Sequence, residues 1–385
     1  MVRGLEWLRK NYLWVAIPVG GVAYVLIALF ITWELPGLAD QRLTRLADIM
    51  EAGDAAEIRN IAYAVGALLG ALAILATIPF QLIKTWMNER AARTDEAGQI
   101  TDRINKAVEQ LGAEKTVKDA DGERTEPNLE VRLGGIYALE RIAQDSLRDH
   151  IQVMEILTAY IRHNAPTKGQ PTREEGEDRD SFLKRIEGPR IDIEAAIRVI
   201  GRRSVRQIEA ELRRRTPYRP DLCRCCLRKA NFLGSETNFA CILFQDCLLE
   251  RVNFSAVHSS GTIFIGSNLE FSEFLGTNLK DAIFTHVKTF KTNFSASALI
   301  DASLGGENVK GISLHRSSVV GANIWGSHIR QRHLDEAFGD INTRIPKELK
   351  RPKHWDVSGD PEVAKKAYRA WMRSHVSSNG TKDNA

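Results

Sequence analysis

A five-residue period runs through the second half of the chain and limits what it can fold into. Stepping by five from Phe239, the positions read Phe239, Phe244, Leu249, Phe254, Ser259, Phe264, Leu269, Phe274, Leu279 and Phe284. They continue as Thr289, Phe294, Leu299, Leu304, Val309, Leu314, Val319, Ile324 and Ile329. Seventeen of these nineteen residues are apolar, Ser259 and Thr289 being the exceptions. Two residues before most of them stands something small or branched, such as Ser267, Ser272, Thr277, Ala282, Thr292, Ser297, Ala302, Ala322 and Ser327. A period of five fits neither a helix, near 3.6, nor a strand, near 2. It marks a short unit stacked on copies of itself. Leu222, Leu227 and Phe232 keep the same beat, but Phe232 and Phe239 are seven residues apart. That spacing predicts two extra residues bulging at a corner after the first coil.

Ala230-Asn231-Phe232, Thr277-Asn278-Leu279, Thr292-Asn293-Phe294 and Ala322-Asn323-Ile324 resemble the pentapeptide-repeat family, with consensus A-(D/N)-(L/F)-x-x. The resemblance covers about residues 221–331. It implies a right-handed quadrilateral β-helix with four repeats per coil, Leu/Phe positions stacked along the axis and small residues filling the rest of the interior. Each coil of such a solenoid buries its apolar face only against its neighbours, so stability accumulates by stacking. With strands about 4.8 Å apart, five to six coils would make a rod of roughly 25 Å.

The front half carries two apolar runs, residues 13–33 and 61–83, of 21 and 23 residues without a charge. Each exceeds the roughly 20 residues that cross a hydrocarbon core. Trp7, Tyr12, Trp14, Trp33 and Trp86 lie near their ends, as interfacial anchors do. The first run is too long for a signal-peptide core and lacks a small-x-small cleavage site, so it is expected to be retained. Arg3, Arg9 and Lys10 precede the first run, and Lys84, Arg90 and Arg93 follow the second. Between them, residues 34–60 hold three basic and six acidic residues. The excess of flanking Lys and Arg places both termini and the soluble domains in the cytoplasm. The expectation is a multi-pass protein of the bacterial inner (plasma) membrane. The rival reading makes both runs helices of a soluble core. Leu38, Leu43, Leu46, Ile49 and Met50 suggest a short helix on the outer interface. Gly66 and Gly70 form a small-xxx-small pair, a helix-packing motif that would act within the hairpin or between two chains of a homo-oligomer.

Between the runs and the repeats, Ile100, Ile104, Val108 and Leu111 mark a helix face ending at Gly112. Residues 114–126 read as a polar loop. Leu129–Ala143 and Ile151–His163 read as a helix pair, residues 165–188 as a charged mobile linker, and residues 191–203 as a further helix. The EQLG segment at 109–112, LEVRLGGIYALERIA at 129–143, MEILTAYIRHNAP at 154–166 and IRVIGRR at 197–203 are similar to a bacterial group. That group sets two transmembrane helices and a helical module ahead of pentapeptide repeats. The LDEAFGD and RPKHW pieces within residues 334–355 are similar to the segment that ends the repeats there. The basic stretch 204–219 departs from that pattern.

The expected fold class is therefore multi-domain, with a two-helix transmembrane hairpin, an α-helical module and a right-handed quadrilateral β-helix, the pentapeptide-repeat solenoid. The expected boundaries are a cytoplasmic N-terminus at 1–12, spans at 13–33 and 61–83, and an external loop at 34–60. A juxtamembrane helix and helical module follow at 84–216, the solenoid at 217–331, and a C-terminal cap and mobile tail at 332–385.

Residues with chemical potential are few. Cys223, Cys225 and Cys226 invite a metal or redox reading, but neighbouring residues of a β-coil face different ways. Cys225 and Cys247 also fall on the small interior beat, where a thiol packs as a small apolar group. The histidines are scattered, and no acid/base dyad, Ser-His-Asp order or phosphate-cradling glycine loop stands out. Gly134-Gly135 lies mid-helix and reads as a close helix contact. No catalytic residue, metal or cofactor is expected. From Arg198 to Lys229 there are eleven Lys/Arg against three acidic residues. Arg202, Arg203, Arg206, Arg213, Arg214 and Arg215 form a basic docking patch in this reading, facing solvent, an anionic lipid surface or an acidic protein, with nucleic acid less favoured. Some pentapeptide-repeat proteins mimic DNA, a role that implies an acidic rod. Residues 221–331 hold ten Lys/Arg and nine Asp/Glu, which argues against it. The first functional expectation is a non-catalytic membrane-anchored scaffold presenting the solenoid to an unidentified protein partner. The alternative is a membrane effector or signalling protein whose hairpin oligomerises or perturbs the bilayer in stress or defence.

Overall fold

The computed structural model describes residues 55–119, 122–233, 237–305, 311–325 and 328–379. The chain divides into two compact units, Met1–Thr101 and Asp102–Ala385.

In the first unit the described residues belong to one helix, α1, Ala55–Leu111, 57 residues long and continuing past the unit boundary. Among the described residues no helix is long and apolar enough to cross a membrane. The expected two-helix transmembrane hairpin is thereby removed from the fold class. The run at 61–83 is not a helix of its own. It is an internal stretch of α1, which carries Glu57 and Arg59 before the run and Lys84, Glu89 and Arg90 after it. The side chains of residues 71–76, inside that run, are not among those described. The run at 13–33 and the interfacial helix expected near 38–50 lie outside the described residues.

The second unit begins with the last turns of α1, where Ile104, Ala107 and Leu111 are buried. Residues 114–126, expected to be a loop, instead form an antiparallel hairpin of β1 (Glu114–Asp119) and β2 (Gly122–Pro127), paired from Glu114↔Pro127 to Asp119↔Gly122. The signal was present in Thr116-Val117, a β-branched pair that favours a strand. The high charge of the flanks obscured it. Four helices of the module follow: α2 (Leu129–Asp145), α3 (His150–Asn164), α4 (Arg179–Arg185) and α5 (Ile191–Gly201). Helix α2 starts at Asn128, whose side chain accepts from the Val131 amide, as an N-cap should. Its apolar stripe Ile136, Leu139 and Ile142 is buried. Helix α6 (Val205–Leu212) opens with a Ser204/Gln207 capping box.

The solenoid is built of coils joined by parallel bridges. Asp221 pairs with Leu243, Cys226 with Leu248 and Asn231 with Asn253, each 22 residues on. From Asn238 the step is 20, as in Asn238↔His258, Leu243↔Ile263 and Leu248↔Asn268. Four pentapeptides therefore close one coil, and the first coil holds the two extra residues predicted between Phe232 and Phe239. The family's consensus letters each have a physical job. The apolar centre of each repeat points inward. Phe232, Phe254, Phe274 and Phe294 stack in one column with ring centroids 4.0, 5.1 and 5.0 Å apart. Phe244, Phe264 and Phe284 form a second column at 5.4 and 4.9 Å. The two columns meet edge to face, as in Phe264 against Phe274, an arrangement that adds about 0.5–1.5 kcal/mol per pair beyond burial.

The small position, two residues earlier, carries hydroxyls that bridge coils. Thr262, Ser272, Thr277 and Thr292 donate to the carbonyls of Phe239, Leu249, Phe254 and Leu269 at 2.6 to 2.9 Å. The Asn just before the centre accepts from the amide two residues on, as in Asn253 to Ser255 and Asn293 to Ser295. This Asx turn leads into a corner residue at positive φ, for example Ala256, Asp281 or Ala296.

Beyond the repeats, helix α7 (Gln331–Asp335) and a loop segment close the last coil, and helix α8 (Pro361–Asn379) packs on the closure. Phe338, Val320, Ala364 and Trp371 form its core. The Trp355 indole donates to the Ala337 carbonyl at 3.0 Å. Within the expected cap and mobile tail at 332–385, residues 361–379 form a helix packed on the closure.

Candidate functional site

Two regions of the second unit place polar and charged side chains where function could reside. They are the junction between module and solenoid, and the strap that runs along one solenoid face.

At the junction, Arg203 is buried and not a docking residue. Its guanidinium donates to the Ile200 carbonyl at 2.9 Å, to Glu211 Oε2 at 2.7 Å and to the Ala240 carbonyl at 2.9 Å. Glu211 also meets His150 Nε2 at 2.8 Å, with all three side chains enclosed. Burial pulls the Arg203 guanidinium below its usual value, and Glu211 opposes that fall. Nearby, the Gly201 carbonyl accepts from the Asn238 amide at 2.6 Å. A Cβ on Gly201 would lie 2.5 Å from the Phe239 ring. The IRVIGRR element is therefore the plug that seats the module on the solenoid.

Of the expected basic patch, Arg203 drops out and five arginines stay at the surface. Arg203 is inside, exposed Arg202 pairs with Glu140 at 2.6 Å, and exposed Arg213 pairs with Glu209 at 2.8 Å. Arg206, Arg214 and Arg215 are exposed. For Gly66 and Gly70, nothing described lies within 4 Å of an added Cβ. Gly135 is a close helix contact, its Cβ position 2.7 Å from the Ala107 carbonyl, whereas Gly134 has open space.

A second buried polar cluster unites the module helices. Asp192 accepts two hydrogen bonds from Arg190 at 2.7 Å, one from the Ile193 amide and one from the Tyr160 hydroxyl. Arg132 reaches Tyr160 at 3.4 Å, Asn164 at 3.3 Å and the Ala113 carbonyl at 2.9 Å. Burial works against the Asp192 carboxylate, but Arg190 and Tyr160 hold its pKa below the usual value. Burial and Asp192 push the Tyr160 phenol up. Every member is engaged, so this cluster specifies helix packing and leaves no poised acid or base. Arg132, Tyr160 and Asn164 lie in the LEVRLGG and MEILTAYIRHNAP segments, Arg190 and Asp192 in neither, and their mutual contact is a product of the tertiary fold.

Residues 165–188, expected to be a mobile linker, are a strap held to the solenoid. Pro166 bridges Cys225, and Arg228 donates to the Pro171 carbonyl at 2.8 Å. Lys229 donates to the Ile186 carbonyl. Phe182, Leu183 and Ile186 are buried, with Phe271 against them. The Arg179 guanidinium sits 4.6 Å from the Phe290 centroid and 3.4 Å from Glu270. Between strap and solenoid lies a cavity of about 490 Å³.

The cysteines are all free thiols. Burial pushes Cys223 up to about 11 and Cys247 up to about 12, and raises Cys225, Cys226 and Cys241 as well. Such thiols are poor nucleophiles and poor metal ligands at neutral pH. Among the described residues no three His, Cys, Asp or Glu side chains are grouped to hold a metal ion.

Comparison with known proteins bears on the solenoid. Residues 237–287 match the family described as Pentapeptide repeats, in 8 copies. No curated protein matches the chain. Among solved structures, the pentapeptide repeat protein Rfr23 from the cyanobacterium Cyanothece 51142 is 22% identical. The match covers 34% of this chain and 67% of that one, with a TM-score of 0.15. A pentapeptide repeat protein from the Arabidopsis thaliana thylakoid lumen is 19% identical over 25% of this chain and 70% of its own, TM-score 0.15. HetL, a pentapeptide repeat protein involved in heterocyst differentiation regulation in Nostoc sp. strain PCC 7120, is 16% identical over 36% and 67%, TM-score 0.16. With its 20-residue coils, stacked phenylalanine columns and matched repeats, the solenoid of this chain is a pentapeptide-repeat β-helix.

Proposed function

We propose that the chain is a non-catalytic scaffold whose solenoid presents fixed rows of side chains to a protein partner. The supporting observation is the register on one uncovered face. Positions 20 residues apart lie side by side, so Asn253, Glu273, Asn293 and Ser313 form one row, joined by the pairs Asn253↔Glu273 and Asn293↔Ser313. The row is braced from within, because the Asn293 amide donates to Glu273 at 2.8 Å. Beside it Leu275 is 48% exposed, and Ser295 and Ser313 share a hydrogen bond at 2.9 Å. A flat, rigid surface with one apolar side chain among braced polar ones loses little conformational entropy on binding. Because these side chains sit on stacked backbone, not on loops, the spacing they offer is set by the coil repeat of about 4.8 Å.

The test places a photo-crosslinker at Leu275 and, as a control, at Lys350 in the full chain. A partner captured through Leu275, not through Lys350, and lost when Glu273→Arg is added in the same face supports the scaffold. Equal capture at both positions, or none at either, sinks it.

A further inference from the structure

The strap cavity has a charge imbalance that its own contacts do not remove. Its floor is the solenoid face on which Leu248, Asn268 and Lys288 lie in one row and Glu250, Glu270 and Phe290 in the next. Its wall is the strap, through Thr172, Arg173, Arg179, Phe182 and Leu183. Arg228 forks onto Glu250 at 3.2 and 3.1 Å, and both are buried. Arg179 answers Glu270. The lining thus spends its two carboxylates on two of its four cations. Arg173 and Lys288 remain, both exposed; among the described residues neither enters an ion pair with the cavity's carboxylates, and Arg173 feels only Glu177 of the strap from a distance. One stands on the strap and the other on the solenoid. Apolar surface is present as well, in Phe182, Leu183 and Phe290. At about 490 Å³ the cavity falls within the range of small-molecule pockets, roughly 300–1,000 Å³.

We propose that this cavity binds a small organic anion, a phosphate- or carboxylate-bearing molecule with a flat apolar body. The anionic group sits between Arg173 and Lys288, where two cations from different elements converge. The flat body lies against the apolar side of the pocket. Because the two cations come from strap and solenoid, occupancy ties the strap down. This reading is independent of a protein partner on the adjacent face.

The experiment uses the full chain and calorimetric titration with AMP, citrate and inorganic phosphate, with co-sedimentation on phosphatidylglycerol-containing vesicles as a separate arm. Saturable binding of AMP at one site per chain is expected, tighter than that of citrate or inorganic phosphate, which carry the charge without the flat body. Arg173→Gln and Lys288→Gln should each weaken it at least tenfold, about 1.4 kcal/mol, while Arg214→Gln/Arg215→Gln leaves it unchanged. Amide exchange across residues 172–186 should slow on addition of the anion. No saturable binding of AMP by about 10 mM, an affinity weaker than about −2.7 kcal/mol, overturns the proposal, as does citrate binding as tightly as AMP. Equal weakening in the Arg214/Arg215 control overturns it too, by assigning binding to general charge. Binding to vesicles alone overturns it by assigning the cations to a lipid surface.

Discussion

At the scale of single residues, the interior of the solenoid follows a rule that two positions break. Ser259 occupies a central site that apolar residues hold at every other repeat but Thr289. Its hydroxyl is fully buried without a hydrogen-bond partner. An unmade hydrogen bond of this kind costs about 1–3 kcal/mol, so Ser259→Ala should raise the unfolding free energy by about 1 kcal/mol, read from urea denaturation. An unchanged or lowered midpoint would mean the hydroxyl is satisfied after all. The cysteines illustrate the opposite case, residues whose chemistry burial suppresses. A thiol whose folded pKa lies above the 9.0 of an ordinary cysteine favours the native state while protonated. That stability is complete below pH 9 and is lost as pH rises toward the folded values, about 11 for Cys223 and about 12 for Cys247. The melting temperature should therefore fall between pH 9 and 11, and fall less in Cys223→Ala/Cys247→Ala. Ellman's reagent at pH 8 should label the native chain far more slowly than the denatured one. The interior placement of Cys225 and Cys247 was legible from the five-residue beat. The missing partner of Ser259 was not, because hydroxyls at other interior positions find carbonyls one coil away, as Thr277 does, or three residues back, as Ser297 does.

At the scale of elements, the basic stretch around Arg203 shows how sequence proximity misleads. Six arginines within fourteen positions look like one patch, yet the helix break at Arg202–Ser204 turns Arg203 inward onto Glu211 and two solenoid carbonyls. Removing one partner of a buried ion pair is costly, about 3–5 kcal/mol, since the other charge is stranded. Arg203→Met should therefore destabilise the chain by that amount in chemical denaturation, whereas Arg206→Met should change it by less than about 0.5 kcal/mol. Comparable losses for the two would return Arg203 to the surface. The strap makes the same point in reverse. Its charges and glycines read as a linker, but Phe182, Leu183 and Ile186 are an apolar triplet at helical spacing that needs a partner, and Phe271 supplies it.

At the scale of the molecule, the solenoid faces the hazard of all open stacks, a final coil with unpaired backbone. The chain covers it with its own C-terminal segment. The Val319 amide donates to the Phe338 carbonyl at 2.7 Å and the Ile324 amide to the Arg344 carbonyl at 2.8 Å. Helix α8 then seals Phe338 beneath Trp371, with the Tyr368 hydroxyl on the Arg316 carbonyl at 2.9 Å. Truncation after Arg330 should expose this edge and give concentration-dependent association in size-exclusion chromatography. A monomeric truncation with unchanged thermal stability would show that the cap is dispensable. At the other end, the module plugs the first coils through Gly201 and Arg203, so both ends of the stack are closed by segments outside the repeats.

The sequence by itself determined a stack of five-residue repeats and the position of its irregular first corner, while the four-repeat coil was implied by the resemblance to pentapeptide repeats. A period of five is a local pattern, and each repeat satisfies its own turn through an Asn side chain and its own core position through one apolar residue. Local patterns can be read from one chain because no distant residue is needed to interpret them. Tertiary structure alone decided the rest. It turned Arg203 inward and Arg206 outward, made a linker into a strap, and ran residues 61–83 into one long helix instead of a separate span. It also enclosed a cavity whose two unmatched cations, Arg173 and Lys288, are 115 residues apart in the chain. Those outcomes depend on which surfaces meet. The energy of a buried charge or an exposed phenylalanine is set by its neighbours in space, which the order of residues does not state.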